Sequence, residues 1–363
     1  TLTYEDVTNI DAVGLVTARN GIVVGSGITL SKDGDGFFTG VVTATSYYGD
    51  GSNLSNVTST TINSNADNRV ITGSGTANTL NGESNLTFDG STLTVTGAAA
   101  VSSDATINSV NVGKGANSVS GNTVLGETAL DSVTTGGSNT AIGYNALTAL
   151  TTGSQNTAVG QIALDAATTA SNNVAVGRAA LTNSTTGSNN VAVGSGALQE
   201  NTDAAGNVAV GYLALTANTT GTYNTAVGFK SLDANTTGQY NTAVGNHALG
   251  SNTANNNTAF GYNALKANTT ASGNVAIGYL ALEDNTTGTN NVALGINCLS
   301  ANTTGGSNIA IGKDALSTCT TDGSNNIAIG YDVMEDLTSG SQNTGIGNYS
   351  CEELTTGSSN TAI

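Results

Sequence analysis

The sequence predicts an all-β fold: a β-solenoid, or β-roll, of 17-residue coils, preceded by small β-modules. Three observations predict it. First, a phrase of the type Asn-x-Ala-x-Gly recurs, with its Gly at 126, 143, 160, 177, 194, 211, 228, 245, 261, 278, 295, 312, 330 and 347. The steps are 17 residues, apart from one of 16 before Gly261 and one of 18 before Gly330. Second, Val, Ile and Thr return at fixed places in each repeat, and β-branched residues favour strands. Third, Gly in every repeat, with turns of the Asn-Thr-Thr-Gly type, breaks helices, and 17 residues fall well short of the roughly 33 that a two-helix repeat needs.

Residues 1–60 and 61–107 lack this period and read as short strands between Gly turns, as small β-modules do. "LTFDGSTLTV" has the form of a hairpin. Leu86 and Phe88 alternate, Asp89-Gly90 turns, and Leu93 and Val95 alternate back. Residues 108–125 read as a capping or transition coil, since Val112-Gly113 precedes Gly126 by only 13 positions. Residues 126–363 form the repeat array, which stops in mid-phrase at Asn360-Thr-Ala-Ile363. The chain starts on Thr1, so a longer natural chain is expected.

Each repeat reads as two short extended pieces joined by two turns. Asn-x-Ala-x-Gly is one piece, the Ala-Leu segment is the other, and Asn-Thr-Thr-Gly is a turn in which Asn and Gly tolerate positive φ. Two columns are apolar throughout, the residue before each Gly and the residue four after it. The expected core is therefore Val227, Leu232, Val244, Leu249, Ile277 and Leu282, with Ala226 allowing close packing. Stacking aligns Asn207, Asn224, Asn241, Asn257 and Asn274 into an amide ladder. One coil holds few large side chains, each worth about 1.5–3 kcal/mol when buried, against about 1–2 kcal/mol to order each residue. An oligomer that buries a second face is expected.

Composition narrows the function. Charged residues are 9% of the chain, against about 25% in ordinary domains. The net charge is −17 with eight Lys and Arg, so nucleic acid is not an expected partner. No apolar run approaches the roughly 18 residues that would suggest membrane insertion. Cys298, Cys319 and Cys351 fit no zinc spacing. They fall in an Ala column, a turn column and the Leu column, and read as free structural thiols.

Chemistry is sparse. Asp33-Gly-Asp-Gly36 and Gly49-Asp-Gly51 resemble fragments of calcium loops but read as turns. Acids gather after the Leu column at Asp131, Asp165, Glu200, Asp233, Glu283, Asp284, Asp314, Glu335, Asp336, Glu352 and Glu353, forming a solvated edge. His247 has no Ser-His-Asp context. Asn-Thr-Thr matches the glycosylation sequon, although the turn explains its recurrence. The position after the Gly is aromatic at Tyr144, Tyr212, Phe229, Tyr262, Tyr279 and Tyr331. These side chains suit a subunit seam or, as the other reading, a sugar-binding stripe. Phe229-Lys230 and Gln239-Tyr240 are variable columns with room for recognition.

The phrases "NTAVGFKSLDANTTGQYNTAVG" and "NTAFGYNALKANTTASGNVAIG" resemble the repeats of bacteriophage tail-fibre proteins over about residues 108–363. More distantly they resemble the β-roll heads of trimeric autotransporter adhesins, whose period is usually shorter. "YEDVTNIDAVGLVTARNGI" and "TGVVTATSYYGDGSNLSNV" are similar to fibre-type virion proteins of marine and cyanobacterial phages. The resemblance implies a parallel homotrimer forming a structural or adhesive fibre of a virion, with tail or baseplate proteins and a host-surface glycan or protein as partners. It implies no enzyme activity and no cofactor. A bacterial surface adhesin or extracellular filament is the second reading, and a fibre-borne glycan hydrolase the third.

Overall fold

A computed structural model of the chain describes residues 69–73, 80–88, 92–95, 104–320 and 323–363. The calcium-like Asp-Gly segments and the expected module at 1–60 lie outside these residues. The chain divides into units 1–99 and 100–363.

In the first unit, β1 (Arg69–Gly73), β2 (Leu80–Phe88) and β3 (Leu93–Val95) form an antiparallel sheet in the order β1-β2-β3. The hairpin expected from alternation pairs Leu86 with Val95 and Phe88 with Leu93.

The second unit is a β-solenoid. It opens with β4 (Ala105–Ile107), β5 (Val110–Gly113) and β6 (Thr123–Gly126). Pairing is antiparallel from β4 to β5 and from β5 to β6, then parallel from β6 to Thr140–Ile142. The expected capping coil at 108–125 is thus an antiparallel hairpin that covers the first edge of the stack, where unpaired backbone groups would otherwise be exposed. Its Ala105–Ile107 strand belongs to the solenoid sheet and not to a 61–107 module. The Asp104 carboxylate accepts the amides of Lys114 and Gly115 at 2.7 and 2.6 Å, which pins the hairpin.

From β6 onward each coil adds one strand, in strict chain order and in register. Val208 pairs with Thr225, Ala209 with Ala226, and Val210 with Val227. The same pattern reaches Thr361–Ala362. The 16- and 18-residue coils keep it, since Val244 pairs with Phe260 and Ile311 with Ile329.

Two expectations are corrected. The Ala-Leu segment is not a second strand. It is a pair of turns in which Leu232 has φ 54°, and the other eleven Leu of its column share that conformation. A left-handed L-residue is strained by about 1–2 kcal/mol. Here it lets the chain turn while its peptide groups still point along the stack. Leu232 N donates to Ala248 O at 2.9 Å, Lys230 N to Tyr212 O at 3.0 Å and Thr219 N to Thr236 O at 2.9 Å. Coils are therefore bonded through their turns as well as their strands.

The second correction concerns the core. Ala226, Ala243 and Ala276 are buried, whereas Val227 and Val244 are half-buried and Ile277 is 39% exposed. The residues before the Gly face outward. Strand side chains alternate, and inward Asn224 puts Ala226 inside and Thr225 and Val227 outside. Leu232, Leu249 and Leu282 are fully buried, beside a second column of small residues that includes Ala248 and Cys298. The interior is so narrow that most inward positions hold Ala, Gly or Asn.

Gly228 shows why the column before each turn holds Gly. Its φ is 140°, and a Cβ there would lie 2.4 Å from the Gly245 carbonyl oxygen of the next coil. The turn Gly has a different constraint. Gly238 does not have positive φ, but a Cβ would meet Asn235 Oδ1 at 2.3 Å.

Candidate interaction surfaces

The inward polar residues form two columns. In the first, Asn224 N donates to Asn207 Oδ1 at 2.9 Å, and Asn241 N to Asn224 Oδ1 at 3.0 Å. Asn257 and Asn274 continue it at 3.0 Å each. Each Nδ2 donates across the coil to the carbonyl of a turn residue, as Asn224 does to Gly238 at 2.8 Å and Asn207 to Gly221 at 2.9 Å. The ladder is mainly side chain to backbone, with amide–amide bonds at some steps such as Asn241 Nδ2 to Asn224 Oδ1 at 3.1 Å. It supplies an acceptor to a buried strand amide and a donor to a buried turn carbonyl, groups that would be costly unpaired.

Reading Asn-Thr-Thr-Gly as a turn alone misses the second column. Asn201, Asn218, Asn235, Asn252, Asn268, Asn285 and Asn302 are fully buried. Asn235 Nδ2 donates to Asn218 Oδ1 at 3.0 Å and Asn302 Nδ2 to Asn285 Oδ1 at 2.8 Å. The clue was that Asn leads the turn in coil after coil. Of these asparagines, Asn218, Asn235, Asn268, Asn285 and Asn302 begin Asn-Thr-Thr sequons, and their burial keeps them from a glycosylating enzyme. The column falters twice. At the 16-residue coil, Asn252 Nδ2 turns to Ala254 O at 2.9 Å and Asn235 Oδ1 is left without a donor. At Cys319 the next side chain cannot replace Asn, and Asn302 Oδ1 also lacks a partner.

All three cysteines are free. Burial pushes the Cys298 thiol up to about 12 and the Cys319 thiol up to about 11, so neither is a ready nucleophile. Among the described residues no group of His, Cys, Asp or Glu could hold a metal ion, and no helix is long and apolar enough to cross a membrane.

The aromatic column forms stacks along the axis. Tyr212 and Phe229 stack at 5.5 Å between ring centroids, and Tyr262 and Tyr279 at 5.4 Å. His247 meets Phe229 edge-on at 5.6 Å, and Lys230 Nζ lies 5.9 Å from the Phe229 centroid. Tyr331 meets Tyr349 edge-on, with Lys313 Nζ 5.0 Å from the Tyr331 centroid. Tyr144 is exposed with Gln161 in the next coil's place. A separate stack, Tyr223 on Tyr240 at 5.5 Å, lies in the column before the first Asn. Gln239-Tyr240 pointed to this column, but its pairing with Tyr223 needed the coil register. Stacking covers one face of each ring in these pairs, and leaves fewer free faces for sugar rings than isolated aromatics would.

The outward side of the strands is a continuous uniform surface. One column runs through Val208, Thr225 and Thr242, the other through Val210, Val227, Val244, Phe260, Ile277 and Leu294. Phe260 is 42% and Leu294 43% exposed, with no charged residue in any array strand. Acids lie elsewhere around the coil. Burial, opposed by His247 and Lys230, raises the Asp233 carboxyl above its ordinary value of 3.8. Comparison with protein-family models, curated proteins and solved structures returns no match to the chain.

Proposed function

We propose that this chain is the shaft of a virion fibre, a rigid self-associating spacer that holds host-surface recognition away from the particle. The observation that carries the reading is the continuity of the parallel stack. Every coil from β6 onward bonds to the next through strand, turns and the first Asn column, and these continue across the irregular coils. Such a stack transmits load along its axis and gains length by repetition. Fourteen strands from β6 to Thr344–Ile346 make a rod of about 62 Å at roughly 4.8 Å per coil.

In this reading the role is mechanical and adhesive, not catalytic, and no cofactor is required. The likeness of the repeat phrases to phage tail-fibre repeats supports a homotrimer, with tail or baseplate proteins at one end and a host-surface glycan or protein at the other. Antibodies raised against residues 126–363 provide the test. Immunogold label is expected on the appendages of phage particles. Label confined to a bacterial cell surface would overturn the virion assignment in favour of an adhesin.

A further inference from the structure

We infer that the outward strand face, carrying the Val208 and Val210 columns, is the surface on which a second copy of this chain docks. The inference rests on the fibre reading and names the face that serves it.

Exposure and charge point the same way. In a single chain this face leaves β-branched and aromatic side chains half open to water. It also carries no charge, although the molecule has a net charge of −17. Two identical acidic chains repel wherever their acids meet. The acids at Asp233, Glu283, Asp314 and Glu335 lie outside the strands, so the strand face lets two copies approach without bringing those groups together.

Area and geometry agree. The strands are three residues long, so the face is about 62 Å by about 10 Å, roughly 600 Å², and the aromatic pairs that flank it bring it towards the size of a standard interface. A standard stable interface takes about 800 Å² from each partner. Both copies present the same coil spacing, so a match at one coil repeats at the rest. Backbone pairing cannot join copies along this face, because the strand amides and carbonyls are already used between coils. Side-chain packing is the remaining mode, and Val, Ile, Phe and Leu are suited to it. The stacked pairs Tyr212–Phe229 and Tyr262–Tyr279 follow the same strands by two residues and extend the apolar strip.

The experiment combines sedimentation with cross-linking on the full chain. The double variant Val210→Asp with Val227→Asp is expected to raise the dissociation constant by about tenfold or more, with its β circular dichroism retained. Thr220→Asp is the control, since Asp203 already occupies that exposed column, and should leave the oligomer intact. In a Cys351→Leu background, oxidation is expected to join copies through Thr225→Cys on the face and not through Thr236→Cys on the turn. Because each Cys variant makes a small change, this arm still reads out if the Asp variant fails to fold. An oligomer that survives both Asp substitutions, or cross-links only through Thr236→Cys, overturns the assigned face and leaves the fibre reading standing. A wild-type chain that sediments as a monomer overturns self-association itself, while particle labelling still judges the virion assignment.

Discussion

Asn224 takes the backbone of two coils at once. Its Oδ1 accepts the Asn241 amide at 3.0 Å, while its Nδ2 donates to the Gly238 carbonyl at 2.8 Å. Asn224→Ala would orphan the Asn241 amide and remove one of two donors to the Gly238 carbonyl, which Asn235 Nδ2 also reaches at 3.1 Å. The expected loss is about 1–3 kcal/mol, read by chemical denaturation. Hydrogen exchange should speed up first at Asn241. A loss below about 0.5 kcal/mol would mean the ladder follows the fold without supporting it.

Cys319 ends the second ladder, with Leu337 and Leu354 in the places that follow, and leaves Asn302 Oδ1 without a donor among the described residues. Cys319→Asn extends the run from Asn201 to Asn302 by one coil and gives Asn302 Oδ1 a donor. It is expected to raise stability by about 1 kcal/mol, seen as a higher denaturation midpoint. Unchanged or lower stability would show that the longer coil next to it cannot accept the ladder.

The core correction has its own contrast. Leu232→Ala is expected to destabilise by about 2–5 kcal/mol, because Leu232 is fully buried. Val227→Ala should cost less than about 1 kcal/mol in an isolated chain, because its side chain is half-buried. Equal losses in a monomeric background would return Val227 to the core.

Thiol reactivity follows burial. Cys351 is only half-buried, whereas Cys298 and Cys319 are buried with raised pKa values of about 12 and about 11. Native alkylation at neutral pH is expected to label Cys351 first, with the other two reacting only on unfolding. Mass spectrometry of the labelled peptides checks this order.

Acidity should stabilise the fold at first. Asp233 is raised above its ordinary 3.8 by burial. Glu335 is raised above 4.5 by desolvation and then by Asp332, Asp314, Asp336 and Glu352. A raised carboxylate binds its proton more readily in the folded chain than in the unfolded one. Stability therefore rises as pH falls from neutral towards the ordinary carboxylate range, and the gain is complete below it. Thermal midpoints followed from about pH 7 down through the ordinary carboxylate range to about pH 3.5 should show the rise, and Asp233→Asn with Glu335→Gln should flatten it.

Much of this was legible in the sequence, since the 17-residue spacing specifies coils and the Asn column specifies register. The facing of the strand was legible too, but hydrophobicity pointed the other way. Val227 looks more like a core residue than Ala226. The parity of Asn224 decides it, since an inward Asn places Ala226 inside. The turn at Leu232 was not legible, because Leu seldom adopts positive φ. Only the stacked coils, which bond to both sides of the turn, make that conformation worthwhile. The face-to-face pairing of Tyr223 with Tyr240 likewise needs the coil register, since the residues stand 17 positions apart.

The central claim is that each repeat adds one coil of fixed rise to a rigid rod. Deleting residues 208–241 removes two whole coils and rejoins Asn207 to Thr242 in register. Small-angle scattering of the wild-type and shortened chains measures the outcome. The account predicts a rod shorter by about 10 Å with an unchanged cross-section. An unchanged length, or a wider cross-section at lower length, would contradict it.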